Sequence, residues 1–299
     1  MNKTLLSYLL IIGIAGTAGA TTGVVGKRVL GQEIVDYSGF NPEDFQDDSA
    51  ELLSKYESNP NQKFSPTDLV NIGLEKYRRS ENCFSIGIGL ADTVVKQTIR
   101  NYQIKNGDKY FEESISKSSM VGVANRVIQD GKDGDIVLFK GSATGSTTAS
   151  YPSEGTTYTQ KDYKDYLGKT LDEMFIYLIS NRSVLPEGNS VEKNGEEVII
   201  NLNLNPDIAS YYYKFQMKNI SGLDGLPSFG YLKQKYTFDK NMNLIALSVD
   251  EQYSASMGIT VGIRNTIDYK YYTEYKKIPE NNEQLDYSIG GNDNGQKEN

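Results

Sequence analysis

The sequence predicts an α+β protein built on one curved, half-barrel-like antiparallel sheet, with an N-terminal helix and a helical insertion packed on one face. Three stretches predict this class. Residues 258–269 alternate between apolar odd positions, except Asn265, and even positions that are polar or glycine. Residues 198–204 and 245–253 alternate in the same way, as expected for strands with one buried face. Because these strands share a polar face, the sheet is predicted to be antiparallel.

The composition excludes several classes of function. The 299 residues include no His, no Trp and one Cys, and the net charge is -8. Without His, neither a Ser-His-Asp triad nor an imidazole-bound metal is available. The acidic balance argues against nucleic acid as a partner. We expect no cofactor and no catalytic site, and the apolar surroundings of Cys83 favour a packing role over a reactive thiol.

Residues 1–30 are predicted to be either a signal peptide or a single transmembrane anchor. Lys3 precedes an uncharged run over residues 4–26. The sequence Ala18-Gly19-Ala20 suits cleavage by a signal peptidase, whereas a run of about 20 residues is just long enough to span a bilayer. Both alternatives make the membrane a partner and place the domain outside the cytoplasm, at the cell membrane or the cell surface.

Residues 31–64 are acidic and rich in turn-forming residues, which predicts a linker with a short helix over 49–56. Residues 65–276 are predicted to form the extracytoplasmic domain. It begins with a helix over 65–80, because Ser65 suits an N-cap and Pro66 the first helical position.

The remainder of the domain is predicted from alternation, helical spacing and turn residues. Strands are expected over 84–90, 94–104, 109–116, 123–129, 135–140, 198–204, 211–217, 231–238, 243–253 and 258–275. Asn106-Gly107 and Asn194-Gly195 predict hairpin turns. Residues 141–155 are expected to be a surface loop, and residues 163–179 a helix or a helix pair broken at Gly168. Residues 277–299 are predicted to be a disordered tail.

Two short motifs have simpler interpretations than the sites they resemble. Asp239 begins a partial match to a calcium loop, but Leu244 stands where that loop requires Gly. A turn with Asx hydrogen bonds is expected there. Gly168-Lys169-Thr170 resembles the end of a phosphate loop, but the earlier Gly and the preceding strand are missing.

Four tyrosines are the candidate ligand-binding residues: Tyr211, Tyr213, Tyr269 and Tyr271. On neighbouring strands they could line a groove for an apolar or sugar ligand. The alternative is structural, because strands favour Tyr, whose ring packs while its hydroxyl stays wet.

The order of these elements, and the fragment 236–245 followed by Glu251-Gln252-Tyr253, resemble the LolA/LppX-type lipoprotein-carrier superfamily of extracytoplasmic proteins. The resemblance implies a half-barrel whose concave face holds a lipid chain or a peptide, and it carries over no functional residue. The expected function is a non-catalytic binding module of the bacterial envelope, for a lipid or another apolar ligand.

Two alternatives stay open. The first is a structural envelope protein whose sheet edge or Tyr-rich face docks another protein; a well-filled concave face would favour it, whereas an open apolar cavity would favour ligand binding. The second is a hydrolase that uses paired carboxylates in a cleft.

Overall fold

The computed structural model describes residues 47–287, apart from 93–94, 121, 222, 257–259 and 281. The predicted signal peptide or anchor, most of the linker before residue 47 and the end of the predicted tail lie outside the described residues. Within the described ranges, no helix is long and apolar enough to cross a membrane.

The fold is α+β, as predicted, and is organised around an open antiparallel sheet of twelve strands. The strands are β1 (Asn82–Asp92), β2 (Gln97–Asn106), β3 (Lys109–Lys117), β4 (Gly122–Gln129), β5 (Ile136–Ala143), β6 (Ala149–Ser150), β7 (Thr156–Tyr158), β8 (Ser190–Asn194), β9 (Glu197–Leu204), β10 (Ser228–Asp239), β11 (Leu244–Ser256) and β12 (Thr260–Tyr272). Their spatial order is β6-β5-β4-β3-β2-β1-β12-β11-β10-β9-β8, and β7 pairs with β5. The pairing of β1 with β12 joins the first and last strands of the sheet's two meanders.

In the described part of the chain, five helices accompany the sheet: α1 (Ser49–Ser58), α2 (Pro66–Arg79), α3 (Gln160–Leu167), α4 (Pro206–Ala209) and α5 (Tyr211–Ser221). The predicted start of α2 is confirmed. The hydroxyl of Ser65 accepts from the Asp68 N–H at 3.1 Å, and the Asp68 carboxylate accepts from the Ser65 N–H at 3.0 Å. This capping box pairs two backbone donors at the helix end.

We call the side of the sheet on which these helices pack the helical face. The alternation of β12 is confirmed there, since Val261, Ile263, Asn265 and Ile267 are all buried. Helix α2 contacts β9 and β11. Helix α1 also belongs to this core through Leu52 and Leu53, although its residues lie in the stretch that composition predicts to be a linker.

The predicted hairpins form, with the turns one residue later than expected. Gly107-Asp108 and Gly195-Glu196 are the two-residue turns, and the preceding asparagines end their strands. Gly107 has φ +60° and Gly195 has φ +63°, a region that glycine adopts without a steric cost. The Asx turn is confirmed, because the Asp239 carboxylate accepts from the backbone N–H groups of Asn241 and Asn243 at 2.8 and 2.9 Å.

The predicted strand over 211–217 is wrong, because this stretch lies within helix α5. Three consecutive tyrosines favour a strand locally, but the preceding residues direct the chain into helices. Asn205 caps α4 by accepting from the Asp207 N–H at 3.0 Å, and Pro206 follows at the first helical position. In α5, Tyr213 and Met217 are four residues apart, and both are buried in an apolar cluster with side chains of β11 and β12.

Only the first half of the predicted helix over 163–179 forms. Gly168, with φ +80°, ends α3 in the left-handed conformation, and residues 169–182 continue without a helix or a strand. We call residues 169–182 the covering segment. Ile176, Leu178 and Ile179 of this segment are all buried. The apolar spacing that predicted a helix therefore reflects burial of an irregular segment.

The opposite side of the sheet, the tail face, is covered by two stretches predicted to be polar or disordered. Ala143, Ala149 and Tyr151 of the predicted surface loop are buried, as are Leu285 and Tyr287 of the predicted tail. They pack on apolar side chains of β1 to β4, which are Phe84, Ile86, Tyr102, Ile104, Phe111, Ile115 and Ala124. Because this half of the sheet is apolar on both faces, a second cover is needed to exclude water.

Beneath this cover, Arg126 and Glu113 form an ion pair in which both side chains are almost completely buried. Tyr151 and Tyr287 each donate their hydroxyl to Glu113, at 2.9 and 3.0 Å. All of these groups have charged or polar partners, as burial requires. The cluster therefore fixes the tail-face cover to the sheet.

The contact between α2 and β10 yields a stability prediction. A methyl group at Gly73 would overlap the ring of Phe238. Gly73→Ala should therefore destabilise the protein by about 1–2 kcal/mol, since overpacking outweighs the gain of up to about 1 kcal/mol in helix propensity. Urea denaturation checks this. Gly225→Ala, which meets open space, is the matched control, and a stabilised Gly73→Ala variant would contradict the packing described.

Candidate binding site

The four predicted tyrosines lie on two elements that meet on the helical face. Tyr269 and Tyr271 of β12 line a cavity beneath the covering segment. Tyr213 of α5 is fully buried nearby. Tyr211 lies on another side of α5, where its ring packs edge-on against Tyr212 and Phe215. The structure thus brings together Tyr213, Tyr269 and Tyr271 but not Tyr211, and ligand binding by any of them stays a prediction.

The cavity, which we call the inner cavity, has a volume of about 100 Å³ and lies between the sheet and the covering segment. Three polar side chains from successive strands form part of its floor, because Asn101, Ser114 and Asn125 are in register across β2, β3 and β4. Its apolar lining comes from the sheet, α3 and the covering segment: Val127, Leu138, Tyr163, Leu167, Met174, Phe175 and Ile176. The inner cavity therefore combines apolar walls with a polar floor.

An ion pair closes one side of the inner cavity. Lys169 donates to Glu112 at 2.6 Å, and Gln103 donates to the same carboxylate at 2.8 Å. Lys169 is only 3% exposed. Gln103 also donates to the backbone carbonyl of Met174 at 3.2 Å. These bonds attach the covering segment to β2 and β3, and they neutralise the two charges in the cavity wall.

Two amide side chains in the cavity wall have atoms without a protein partner. Both amide atoms of Asn125, and the Oε1 atom of Gln216, are buried and have no hydrogen-bond partner among the residues that the structure describes. Asn125 is 6% exposed and Gln216 is 4% exposed. Such buried groups normally bond to protein, water or ligand.

Glu251 of β11 lies beside the inner cavity and is completely buried. Its carboxyl accepts from Asn265 at 3.1 Å, from Tyr177 at 3.1 Å and from Tyr213 at 3.2 Å. Loss of water by burial raises the pKa of this carboxyl to about 7, against the lowering effect of these hydrogen bonds. We call these four residues the Glu251 cluster. It joins β11, β12, α5 and the covering segment.

A second depression lies on the outer side of the covering segment. This outer groove has a volume of about 520 Å³ and runs between the covering segment, α1, α2 and α5. Lys169, Phe175, Ile176 and Tyr177 line both the groove and the inner cavity. The covering segment therefore separates the inner cavity from the outer groove.

Five charged side chains of the outer groove form ion pairs with one another. Arg78 of α2 contacts Asp47 at 3.1 Å and also bonds to Glu75. Lys164 of α3 bonds to Glu173 of the covering segment. The groove is therefore polar, with both signs of charge balanced along it.

The described residues contain no cluster of three or more His, Cys, Asp or Glu side chains arranged to hold a metal ion. Cys83 is buried, and loss of water raises the pKa of its thiol. Burial with a raised pKa is typical of a packing cysteine, as predicted, because the nucleophilic form is the thiolate.

Two residues of the site could be recognised from the alternation pattern of the sequence. Glu251 and Asn265 are the two polar residues on the apolar sides of β11 and β12, and they face each other across the pair. Asn125, Lys169 and Gln216 gave no such signal, because their positions depend on how α3, α5 and the covering segment fold back. Local pattern could not place them.

Comparison with models of known protein families finds no match, and comparison with curated proteins finds no significant similarity. The resemblance to lipoprotein-carrier domains therefore stays a prediction.

The Glu251 cluster yields a prediction about pH. A carboxyl with a raised pKa in the folded state contributes stability that is fully present below its unfolded pKa, near 4.5, and is lost as the pH rises through about 7. As the pH rises from 5 to 8, ionisation of Glu251 should lower the free energy of unfolding by about 2 kcal/mol. Glu251→Gln, which stays neutral, should remove that loss.

Urea denaturation of both proteins across this pH range measures the effect. Glu197→Gln, at an exposed position, serves as the control and should keep the wild-type profile. If Glu251→Gln also keeps the wild-type profile, Glu251 is not the buried, titrating group described.

Proposed function

We propose that this protein is a non-catalytic binding module, held outside the cytoplasm, whose ligand occupies the outer groove above the inner cavity. The observation that carries the proposal is the stacking of these two spaces on either side of the covering segment. The location rests on the N-terminal sequence alone, where an uncharged apolar run follows Lys3.

The size of the outer groove supports this assignment. Ligand sites in proteins are commonly about 300–1,000 Å³, and the groove, at about 520 Å³, falls in that range. One of its walls, the covering segment, lacks the regular hydrogen-bonded backbone of a helix or strand. Irregular segments positioned by a rigid scaffold carry binding functions disproportionately often.

The lining favours a polar or amphipathic ligand over a bare lipid chain. The outer groove is bordered by the paired charges of Arg78, Glu75, Lys164 and Glu173. The inner cavity, with a volume of about 100 Å³, is well below the usual size of a ligand pocket. A ligand would therefore lie in the groove and extend a small group inward, past Phe175 and Tyr177.

A protein-docking role is the second candidate. Ile88 and Leu90 of β1 are 43% and 45% exposed. They are on the tail face, two and four residues beyond Ile86, where the cover formed by the loop and tail has ended. Two exposed apolar side chains on one strand favour contact with another protein, although such a patch is small.

A carboxylate-based hydrolase would be expected to use Glu251, since a raised pKa is common among catalytic acids. Its carboxyl is completely buried beneath Tyr177 and Tyr213, so that a substrate would have to displace them. The geometry supports binding better than it supports this reaction.

Native mass spectrometry with organic extraction tests the binding proposal, on the full-length protein purified from its producing cells. We expect a co-purifying small molecule. Lys164→Trp should remove most of it, because the indole ring would fill the mouth of the outer groove. Lys161→Trp, on the same helix but outside the groove lining, should retain it.

Both substituted lysines are exposed, and circular dichroism should show both variants folded. A clean apo mass under gentle conditions would contradict the binding proposal and favour protein docking. Equal loss of the ligand in both variants would show that it is not held in the groove.

A further inference from the structure

We propose that the inner cavity binds a small, uncharged group that both donates and accepts hydrogen bonds, such as a carboxamide. The proposal deepens the proposed function, since it names the chemistry of the group that enters from the outer groove. Its test is separate, because it uses defined probes rather than a ligand obtained from cells.

Three buried side-chain atoms in the wall of the inner cavity need hydrogen-bond partners. The Asn125 amide presents one unpartnered acceptor and one unpartnered donor nitrogen, and Gln216 presents one unpartnered acceptor. Leaving such atoms buried and unpaired is unfavourable, because they lose their hydrogen bonds to water and gain none in return. Both side chains line the same cavity. An occupant that donates to the two oxygens and accepts from the nitrogen would satisfy all three atoms.

Two charged side chains in the cavity wall already form an ion pair, which favours a neutral occupant. Lys169 and Glu112 already neutralise each other at 2.6 Å, and both are largely buried. An anion or a cation in the cavity would have to compete for one of these partners and lose its own hydration, which is costly in a buried site. A neutral occupant leaves the pair intact.

The volume and the lining of the inner cavity also limit the size and the polarity of its occupant. A volume of about 100 Å³ is well below that of a typical ligand pocket, and it suits a group of a few heavy atoms. The apolar side chains of Val127, Leu138 and Met174 contact the remainder of this space. A group with one polar end and one methyl-sized apolar end fits both kinds of wall.

Four probes of nearly the same shape test the proposal: acetamide, acetate, acetamidinium and isobutene. They are respectively neutral and polar, anionic, cationic, and apolar. Each is titrated into the isotope-labelled full-length protein, while the side-chain amide resonances of Asn125 and Gln216 are followed by NMR. We expect acetamide to shift both resonances, with an apparent affinity about tenfold or more above that of the other three.

The variants locate the binding. Asn125→Leu keeps the approximate volume and removes both polar atoms, so the acetamide response at Gln216 should be lost. Asn201→Leu, at a half-buried position on β9 that is outside the cavity lining, should retain the response. If Asn125→Leu fails to fold, Gln216→Met with readout at Asn125 replaces it, and the four probes on the wild-type protein still decide.

Three results would overturn the proposal. No response to acetamide would mean that water alone fills the cavity. An equal or stronger response to acetate or acetamidinium would mean that the ion pair opens to charged groups. An equal or stronger response to isobutene would mean that the polar atoms do not select the occupant. Because none of these results depends on a co-purifying ligand, failure here is distinguishable from failure of the binding module itself.

Discussion

The Glu251 carboxyl is buried, and no cationic side chain is among its hydrogen-bond donors in the described residues. The arrangement of the helical face depends on this constraint. A buried carboxyl must be neutral or well hydrogen-bonded, and Glu251 is surrounded by donors from three other elements. Asn265 comes from β12, Tyr213 from α5 and Tyr177 from the covering segment. Satisfying one side chain therefore fixes how helix, segment and sheet meet. The inner cavity lies beside this junction, and its shape follows from it.

Each face of the sheet buries one glutamate carboxyl group, and the two carboxyl groups have different kinds of partner. On the tail face, Glu113 has a buried cation, Arg126, whose guanidinium lies over the Tyr151 ring at 4.4 Å from its centroid. On the helical face, the donors to Glu251 among the described residues are all neutral, and its pKa is raised. The tail face is therefore fixed by an ion pair, whereas the junction on the helical face is predicted to lose stability as the pH rises through about 7. The inner cavity and the outer groove both lie on the helical face.

How much of this could be predicted from sequence depended on how local each cause was. The start of α2 follows from Ser65, Pro66 and Asp68, which lie within four residues of one another. The buried face of β12 follows from its own alternation. In contrast, Tyr211 to Tyr213 favour a strand by propensity, yet they lie in α5, where Tyr213 and Met217 are buried on the same side of the helix.

The site depended on contacts that are distant in sequence. Lys169 meets Glu112, 57 residues away, and Tyr177 meets Glu251, 74 residues away. No local pattern encodes such pairs. The cover of the tail face was missed for the same reason, because Leu285 and Tyr287 stand in a polar stretch and are buried only by a sheet that is apolar on both sides.

A high-resolution crystal structure of the full-length protein, purified from its producing cells, would test the central claim most directly. The account predicts non-protein density in the outer groove that continues past Phe175 and Tyr177 and ends in hydrogen bonds to the Asn125 and Gln216 amides. A collapsed inner cavity, with those amides bonded to protein atoms and the groove filled only with bulk solvent, would contradict it.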